Sequence, residues 1–568
     1  MAEVTQRPWL ASYPEGIDWN VEIDTTPVHE RVLAMCEKTP NADALDFLGR
    51  KTRFRELGAA IEAFAGALQQ KFGVKKGTRV AMLLPNTPFY VIAYYGVLRA
   101  GGTVVNCNPL YTVGELSHIV GNSGAELMVT LDVAQVFKKA EAVAREGHLR
   151  DLIVCHFPDV LPAVKKVLYK VAKSGDLAKP ADSPIADRIT PFDKLLAGRH
   201  KPTPVSIDAE HDIAIQQYTG GTTGLPRGAM LSHANVSANV SQLGIWGDGL
   251  FNPPTRIVAV LPFFHIFAMT ACMNLPLCHG AQVVMMPRFD MKGLLDLLVR
   301  TGANVMPAVP TLVQTLARGG EKASAALNTL ELVVCGGAPL TEEVVEAWSK
   351  VSRARVAEGY GLTESSPVVC CAALAVASKP HSIGLPIPGT DIRMVDIETG
   401  EVVPTGERGE LQVKGPQVMR GYFGDDDATR NAFTDGWLRS GDVGIMDEDG
   451  YVFIVDRIKD LIICSGFNIY PRNVEEALMH HPAVDEVTVI GVPDPRRGEA
   501  PVAFVKLKDG AEATESELKA FASDHLSKLE VPREIIFKAE LPKTLIGKLS
   551  KKELRQEYGE RKSHDEPA

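Results

Sequence analysis

The stretch Asp212-Ile-Ala-Ile-Gln-Gln-Tyr-Thr-Gly-Gly-Thr-Thr-Gly-Leu-Pro-Arg-Gly-Ala-Met-Leu-Ser232 reads as two strands joined by a glycine-rich loop. Asp212 to Tyr218 forms the first strand and Gly228 to Ser232 the second. Between them, the ten positions from Thr219 to Gly228 hold four glycines, three threonines and one cation, Arg227. Glycines let backbone approach an anion closely, while amide protons and hydroxyls supply donors. Arg227 adds a permanent, forked positive charge suited to phosphate oxygens. The spacing is not the Walker G-x-x-x-x-G-K-[ST], and a Walker loop would open a helix instead of joining strands. A flexible surface hairpin rich in small residues is the plainer reading. The cation and the flanking strands favour a phosphate loop of Tyr218, Thr219, Gly220, Gly221, Thr222, Thr223, Gly224 and Arg227.

Outward from this loop, short apolar runs alternate with helical patterns. Arg79-Val-Ala-Met-Leu-Leu84, Ala125-Glu-Leu-Met-Val-Thr-Leu131 and Leu330-Glu-Leu-Val-Val-Cys335 read as strands, and Phe89 to Arg99 as a helix. The alternation predicts an α/β fold with mixed, largely parallel sheets. From about Gly384 to Val455 frequent turns separate short strands, which predicts a β-rich subdomain. Near Asp456-Arg-Ile-Lys-Asp460 a boundary follows, giving a large domain over 1–456 and a small α+β domain over 457–568. In the small domain Leu461 to Cys464, Glu486 to Gly491 and Glu534 to Phe537 read as strands. Asn473 to Met479 and Glu515 to Leu526 read as helices, and Gln556 to Ala568 as a loose polar tail.

The bulk numbers exclude several classes. At 568 residues the chain exceeds what one core usually serves. A formal net charge of -10 argues against nucleic acid as a partner, so cations for an anionic ligand must be gathered locally. Nine scattered cysteines without a C-x-x-C pair suggest neither disulfides nor a zinc site, and point to a reducing cytoplasm. Met1 to Trp19 lacks the apolar core of a secretory signal. Ile257 to Pro287 contains no Asp, Glu, Lys or Arg. Its prolines, His265, Asn274 and His279 favour a buried strand, turn and helix over a membrane span.

Further motifs agree with the loop. Glu358-Gly-Tyr-Gly-Leu-Thr-Glu364 sets a carboxylate beside a threonine, suiting a hard cation held with phosphate oxygens; alone it also reads as a turn and helix start. Gly336-Gly-Ala-Pro339 follows a strand and precedes a helix start at Thr341. Asp435-Gly-Trp-Leu-Arg-Ser-Gly-Asp442 ends in a carboxylate that suits a diol. Asp456-Arg-Ile-Lys459 and Leu541-Pro-Lys-Thr-Leu-Ile-Gly-Lys548 complete the set.

In this order and spacing, the motifs resemble those of the adenylate-forming superfamily, which includes acyl-CoA synthetases, luciferases and peptide-synthetase adenylation domains. The resemblance runs from about Thr39 to Arg555. The family usually has lysine where this chain has Arg227. The resemblance implies ATP, Mg2+ and coenzyme A, with a small domain that rotates between two half-reactions. It places Gly336, Gly337, Ala338, Glu358, Gly359, Tyr360, Gly361 and Thr363 around adenine and phosphate, with Tyr360 stacking on the base. It assigns Thr219 and Glu364 to the metal, Asp442 to the ribose hydroxyls and Arg457 to ribose and phosphate. Lys459 becomes the hinge, Ser465-Gly466-Phe467 the thioester face, and Lys548 the catalytic lysine of adenylation.

The acid is read from Leu261-Pro-Phe-Phe-His-Ile-Phe267, which resembles the family's aromatic gate with His265 in its usual place. No aspartate stands there for a substrate amine, and an uncharged wall suits an alkyl chain. Asn108-Pro-Leu-Tyr-Thr112, Gly415-Pro-Gln-Val-Met-Arg-Gly-Tyr422 and Ser465-Gly-Phe-Asn-Ile-Tyr-Pro471 resemble bacterial long-chain acyl-CoA synthetases. A medium-chain or dicarboxylic acid–CoA ligase, or an acyl-AMP ligase loading a carrier protein, would use the same machinery. A non-catalytic nucleotide- or lipid-binding module would not need Lys548, and no G-x-S-x-G elbow supports a serine hydrolase. Leu161, Val164, Leu168 and Val171, with Lys165, Lys166, Lys170 and Lys173 nearby, suggest peripheral contact with anionic lipid. Homodimers occur among the relatives.

Overall fold

The computed structural model describes residues 7–198, 200–219, 226–251, 255–373, 379–465, 467–543 and 549–565, without the side chains of residues 170, 172, 174 and 562–565. Two large sheets and a β-rich subdomain form the large domain, and a separate sheet forms the small one. The first sheet has eight strands in the order Gly421–Tyr422, Arg227–Ser232, Ile213–Thr219, Thr103–Asn106, Arg79–Leu83, Leu127–Leu131, Asp151–Cys155 and Ile189–Pro191. From Ile213–Thr219 onward the neighbours are parallel. Buried parallel strands carry continuous apolar runs because helices cover both faces. The helix Pro88–Arg99 is buried along almost its whole length, and starts where the Thr87 side chain accepts the Tyr90 N–H with proline at the first turn.

The second sheet has nine strands, with Arg256–Ala259, Val305–Ala308, Leu332–Gly336 and Arg355–Gly361 parallel at its centre. The uncharged run 257–287 supplies the strands Arg256–Ala259 and Gln282–Met285 and the buried helical turns between Ile266 and Cys278. Among the described residues no helix is long and apolar enough to cross a membrane. The β-rich subdomain is a five-stranded antiparallel sheet in which Trp437–Met446 pairs with Arg408–Lys414 on one side and Val452–Arg457 on the other.

The small domain has its own core, including Ile462, Val474, Leu478, Val489, Val505 and Leu518. The sequence reading needs correction here and at one helix of the large domain. Two strands went unread: Phe467–Ile469, and Gly498–Leu507 at the centre of the sheet. The latter begins Gly-Glu-Ala-Pro, residues that resist strand formation, and is held by a ten-pair ladder to Val484–Asp494. The expected tail from Gln556 is instead helical to Asp565, within Lys551–Asp565. Leu554 and Tyr558, four apart on one face, are buried and hold it to the sheet. At the start of this helix the Lys551 side chain is only 18% exposed, with its ammonium 2.9 Å from Glu475. Finally, Leu161 is buried ahead of the helix Ala163–Ala172, so the exposed apolar face of that helix is Val164, Val167, Leu168 and Val171.

Candidate active site

Two antiparallel strands carry the phosphate loop, Ile213–Thr219 and Arg227–Ser232, with Thr219 opposite Arg227 and Tyr218 opposite Gly228. Both ends of the loop are thereby fixed; Gly220, Gly221, Thr222, Thr223 and Gly224 lie outside the described residues. Gly228 is obligatory, because a Cβ there would approach the Tyr218 ring to 2.9 Å. Tyr218 itself is buried, donating its hydroxyl to Asn122 Oδ1 at 2.6 Å, so its side chain anchors the strand. Arg227 is exposed, with Nε 3.2 Å from Asp425 Oδ2 and its guanidinium 5.9 Å from the centre of the Tyr422 ring.

The residues expected around adenine sit at the carboxyl ends of two parallel strands, where Gly336 pairs with Gly359 and Cys335 with Glu358. A side chain at Gly336 would meet the Gly359 carbonyl at 2.8 Å, so only glycine lets the strands run together there. Gly337 has φ +86°, a conformation that glycine adopts freely, and Ala338 follows half-buried. The Leu340 N–H donates to Glu358 Oε1 at 3.4 Å, yet burial outweighs this and lifts the Glu358 carboxyl to about 7. Gly361 lies where any Cβ would strike the Pro367 carbonyl, and Thr363 opens the short turn Thr363–Ser365 that contains Glu364. Phe267, from the aromatic gate, lies against Gly336 and joins the expected acyl side to the adenine side.

Asp442 is buried and both its oxygens are engaged. Tyr360 donates its hydroxyl to Oδ2 at 2.5 Å, and Arg457 Nε lies 3.1 Å from Oδ1. Backbone pairing of Asp442 with Arg457 sets this geometry. Burial and the Asp442 charge hold the Tyr360 hydroxyl well above its ordinary range, so it stays a donor, and Asp442 likewise raises Arg457. Each carboxylate oxygen has two lone pairs, so a diol can still be accepted.

Glu364 receives the Tyr422 hydroxyl on Oε1 at 2.7 Å. One connected chain of contacts therefore runs from Arg227 through Tyr422, Glu364 and the 360–364 segment to Tyr360, Asp442 and Arg457.

His265 is half-buried at the start of the gate helix, with its N–H on the Pro262 carbonyl. The gate is clamped from below. Asn86 binds the Ala259 and Leu261 carbonyls and the Phe263 N–H; Gln217 donates to the Phe264 carbonyl and accepts from Asn106. The Tyr90 hydroxyl lies 2.7 Å from Asn106 Oδ1 and 3.0 Å from the Phe263 carbonyl.

Beyond Arg457, Lys459 lies in the turn Ile458–Asp460. Asp456 just before it accepts backbone N–H groups of Arg457 and Arg472 at 2.7 and 2.8 Å, linking the turn to the small domain. Ser465 (φ +53°) and Phe467, 65% exposed, face solvent together; Gly466 lies outside the described residues. Lys548 does as well, but its flanks are clasped by the bridge Lys543–Leu549 and the Ser550 N–H on the Pro542 carbonyl.

Sequence reasoning missed Tyr422 and Asp425, together with the clamp of Asn86, Tyr90, Asn106 and Gln217. A signal for part of the clamp was present: Asn106 and Gln217 are polar residues in buried strands and must be satisfied, and Gln217 is satisfied on the gate backbone.

Comparison with known proteins gives the family. The AMP-binding enzyme family matches residues 33–423, and the AMP-binding enzyme C-terminal domain matches 473–548. A long-chain-fatty-acid–CoA ligase of Bacillus subtilis is 38% identical over 558 residues, covering 98% of this chain and 99% of that protein. A long-chain-fatty-acid–CoA ligase of Salmonella typhimurium is 38% identical over 560 residues, covering 97% and 98%. The crystal structure of ATP-bound MatB from Rhodopseudomonas palustris superposes with a TM-score of 0.81 at 28% identity, covering 94% of this chain and 99% of that one. The chain belongs to the AMP-binding, adenylate-forming enzymes.

Proposed function

We propose that this protein activates a medium- to long-chain fatty acid, forming acyl-AMP and pyrophosphate from ATP and then passing the acyl group to coenzyme A. The observation that carries this reading is the connected chain of contacts from Arg227 to Arg457. It joins a phosphate-loop cation, a cation-binding carboxylate, an aromatic platform, a diol acceptor and a hinge arginine in one cleft. The family's two-domain architecture supports a boundary at 456/457, where the Asp456 turn meets the small domain.

In the first step the fatty carboxylate oxygen attacks the α-phosphorus, and the bond to pyrophosphate breaks with its electrons. Tyr360 orients the base, while Asp442 takes the ribose hydroxyls and keeps Arg457 beside the phosphate. Arg227 and Lys548 offset charge building on the phosphoryl oxygens, an effect worth most where donors are already placed. In the second step the coenzyme A thiolate attacks the acyl carbonyl and AMP leaves, so one difficult displacement becomes two easier ones. Ser465, Gly466 and Phe467 form the face that receives the thiol arm.

Magnesium fits the donor set. Tyr422 occupies one oxygen of Glu364 and leaves Oε2 for a cation, Thr219 stands at the loop mouth, and both are hard oxygen donors. No group of three or more His, Cys, Asp or Glu side chains able to hold a metal occurs among the described residues, so phosphate oxygens and water would complete the shell. When bound, the ion neutralises phosphate charge.

The uncharged strands and gate behind His265 support an alkyl substrate, each buried methylene contributing about 0.8 kcal/mol. Acid-dependent ATP–pyrophosphate exchange across a series of chain lengths tests this. Activity should rise from short acids toward long ones; preference for a dicarboxylate or an amino acid would contradict it.

The helix Ala163–Ala172 supports peripheral contact with lipid. Four apolar side chains, from Leu168 at 61% to Val171 at 79% exposed, face solvent together. Lys165 and Lys166 are tied to the Leu48 carbonyl and Asp159, so apolar insertion carries more of this contact than free lysine charge. Sedimentation with anionic liposomes should fall in Val167→Ser/Val171→Ser, and unchanged sedimentation would refute the contact.

A further inference from the structure

Tyr422 belongs to none of the roles above, yet it touches two of them. It sits in the two-residue strand Gly421–Tyr422, which pairs antiparallel with Arg227–Ser232, the strand that leaves the phosphate loop. The Phe423 N–H binds the Gly228 carbonyl, the Arg420 N–H binds the Met230 carbonyl, and the Met419 N–H binds the Glu364 carbonyl. The segment 419–423 thus bridges two stretches that lie far apart in sequence. Its side chain repeats the bridge: the hydroxyl donates to Glu364 Oε1, and the ring face lies under the Arg227 guanidinium. Asp425, which caps the helix Asp426–Ala432 through its Oδ1, holds Arg227 over that ring with Oδ2.

We propose that Tyr422 is a positioning residue that fixes the Glu364 carboxylate for magnesium and locks it in register with Arg227, so that metal and cation meet the same phosphates. This rests on the assignment of Glu364 to the metal. A carboxylate with one oxygen held by a phenol presents the other in a defined direction, and partners of this sort behind a metal ligand govern affinity for the metal. Arginine suits this arrangement better than lysine, because a planar guanidinium can lie over the ring while its edge pairs with Asp425.

The test is calorimetric titration of ATP into the full-length protein at stepped magnesium concentrations and without magnesium, for wild type, Tyr422→Phe, Glu364→Gln and the double variant. Tyr422→Phe keeps the ring under Arg227 and removes only the donor. It should raise the magnesium concentration for half-maximal ATP affinity by about tenfold or more, while metal-free ATP binding stays within about twofold. The double variant should resemble Glu364→Gln alone, because Tyr422 acts through that carboxylate. Unchanged magnesium dependence in Tyr422→Phe, or additive losses in the double variant, would overturn the proposal. If Glu364→Gln itself leaves magnesium dependence unaltered, the metal assignment falls, and this inference with it.

Discussion

The two ends of the nucleotide cleft are built differently. At the phosphate end Arg227 and Asp425 form an ion pair whose side chains are 58% and 37% exposed. At the proposed ribose end Asp442 is buried and receives Tyr360 and the half-exposed Arg457 on separate oxygens. An exposed pair contributes little and exchanges partners easily. A buried carboxylate with charge-assisted partners is costly to disturb. The difference suits a site whose ribose anchor is formed in advance and whose phosphate cation is released to the incoming triphosphate.

Mutations at the two ends should therefore differ in size. Asp442→Ala removes the diol acceptor and the carboxylate that binds Tyr360 and the half-exposed Arg457, each hydrogen bond to that charge contributing about 1.5–3 kcal/mol. Pyrophosphate exchange should fall on the order of 10³-fold in kcat/KM for ATP, and a loss smaller than that of Arg227→Lys would break the comparison. Tyr360→Phe removes one hydrogen bond to a charged group, about 1.5–3 kcal/mol. Adenylation kinetics should show a rise of roughly tenfold to a hundredfold in KM for ATP. Arg227→Lys keeps the charge and loses only the fork and the ring contact, so ATP affinity should change by less than about tenfold.

Glu358 sharpens the contrast through pH. Burial raises its carboxyl from 4.5 to about 7 in the folded chain. Over that interval the unfolded chain has released a proton that the folded chain retains, so folding loses stability as pH rises from about 4.5 to about 7, with no further loss above. Thermal melts of Glu358→Gln against wild type should diverge in favour of the variant across this window and run parallel above it. A constant difference at every pH would show that burial does not govern this carboxyl.

Much of the cleft was legible in the sequence because its parts are local. Gly336 and Gly361 announce close backbone approaches, and the composition of Thr219 to Gly228 suits an anion loop, within a few residues each. Tyr422 was not legible, because its partners Glu364 and Arg227 stand far away in sequence and meet it only through strand pairing. The gate clamp was hidden for the same reason: Asn86 and Gln217 read as interruptions of apolar runs until their carbonyl partners at 259–264 come alongside. The strand Gly498–Leu507 escaped because it opens on Gly-Glu-Ala-Pro and its β-favouring Val502, Phe504 and Val505 come only after Pro501. The helical end at Gln556 escaped because only Leu554 and Tyr558 bury there.

The central claim is that cations from the two domains serve one bound nucleotide, with Lys548 acting in adenylation alone. The direct measurement compares Lys548→Ala with wild type in acid-dependent pyrophosphate exchange and in thioester formation from supplied acyl-AMP. Exchange should fall by about two to three orders of magnitude, while thioester formation stays within about tenfold. Equal loss in both half-reactions would contradict the account.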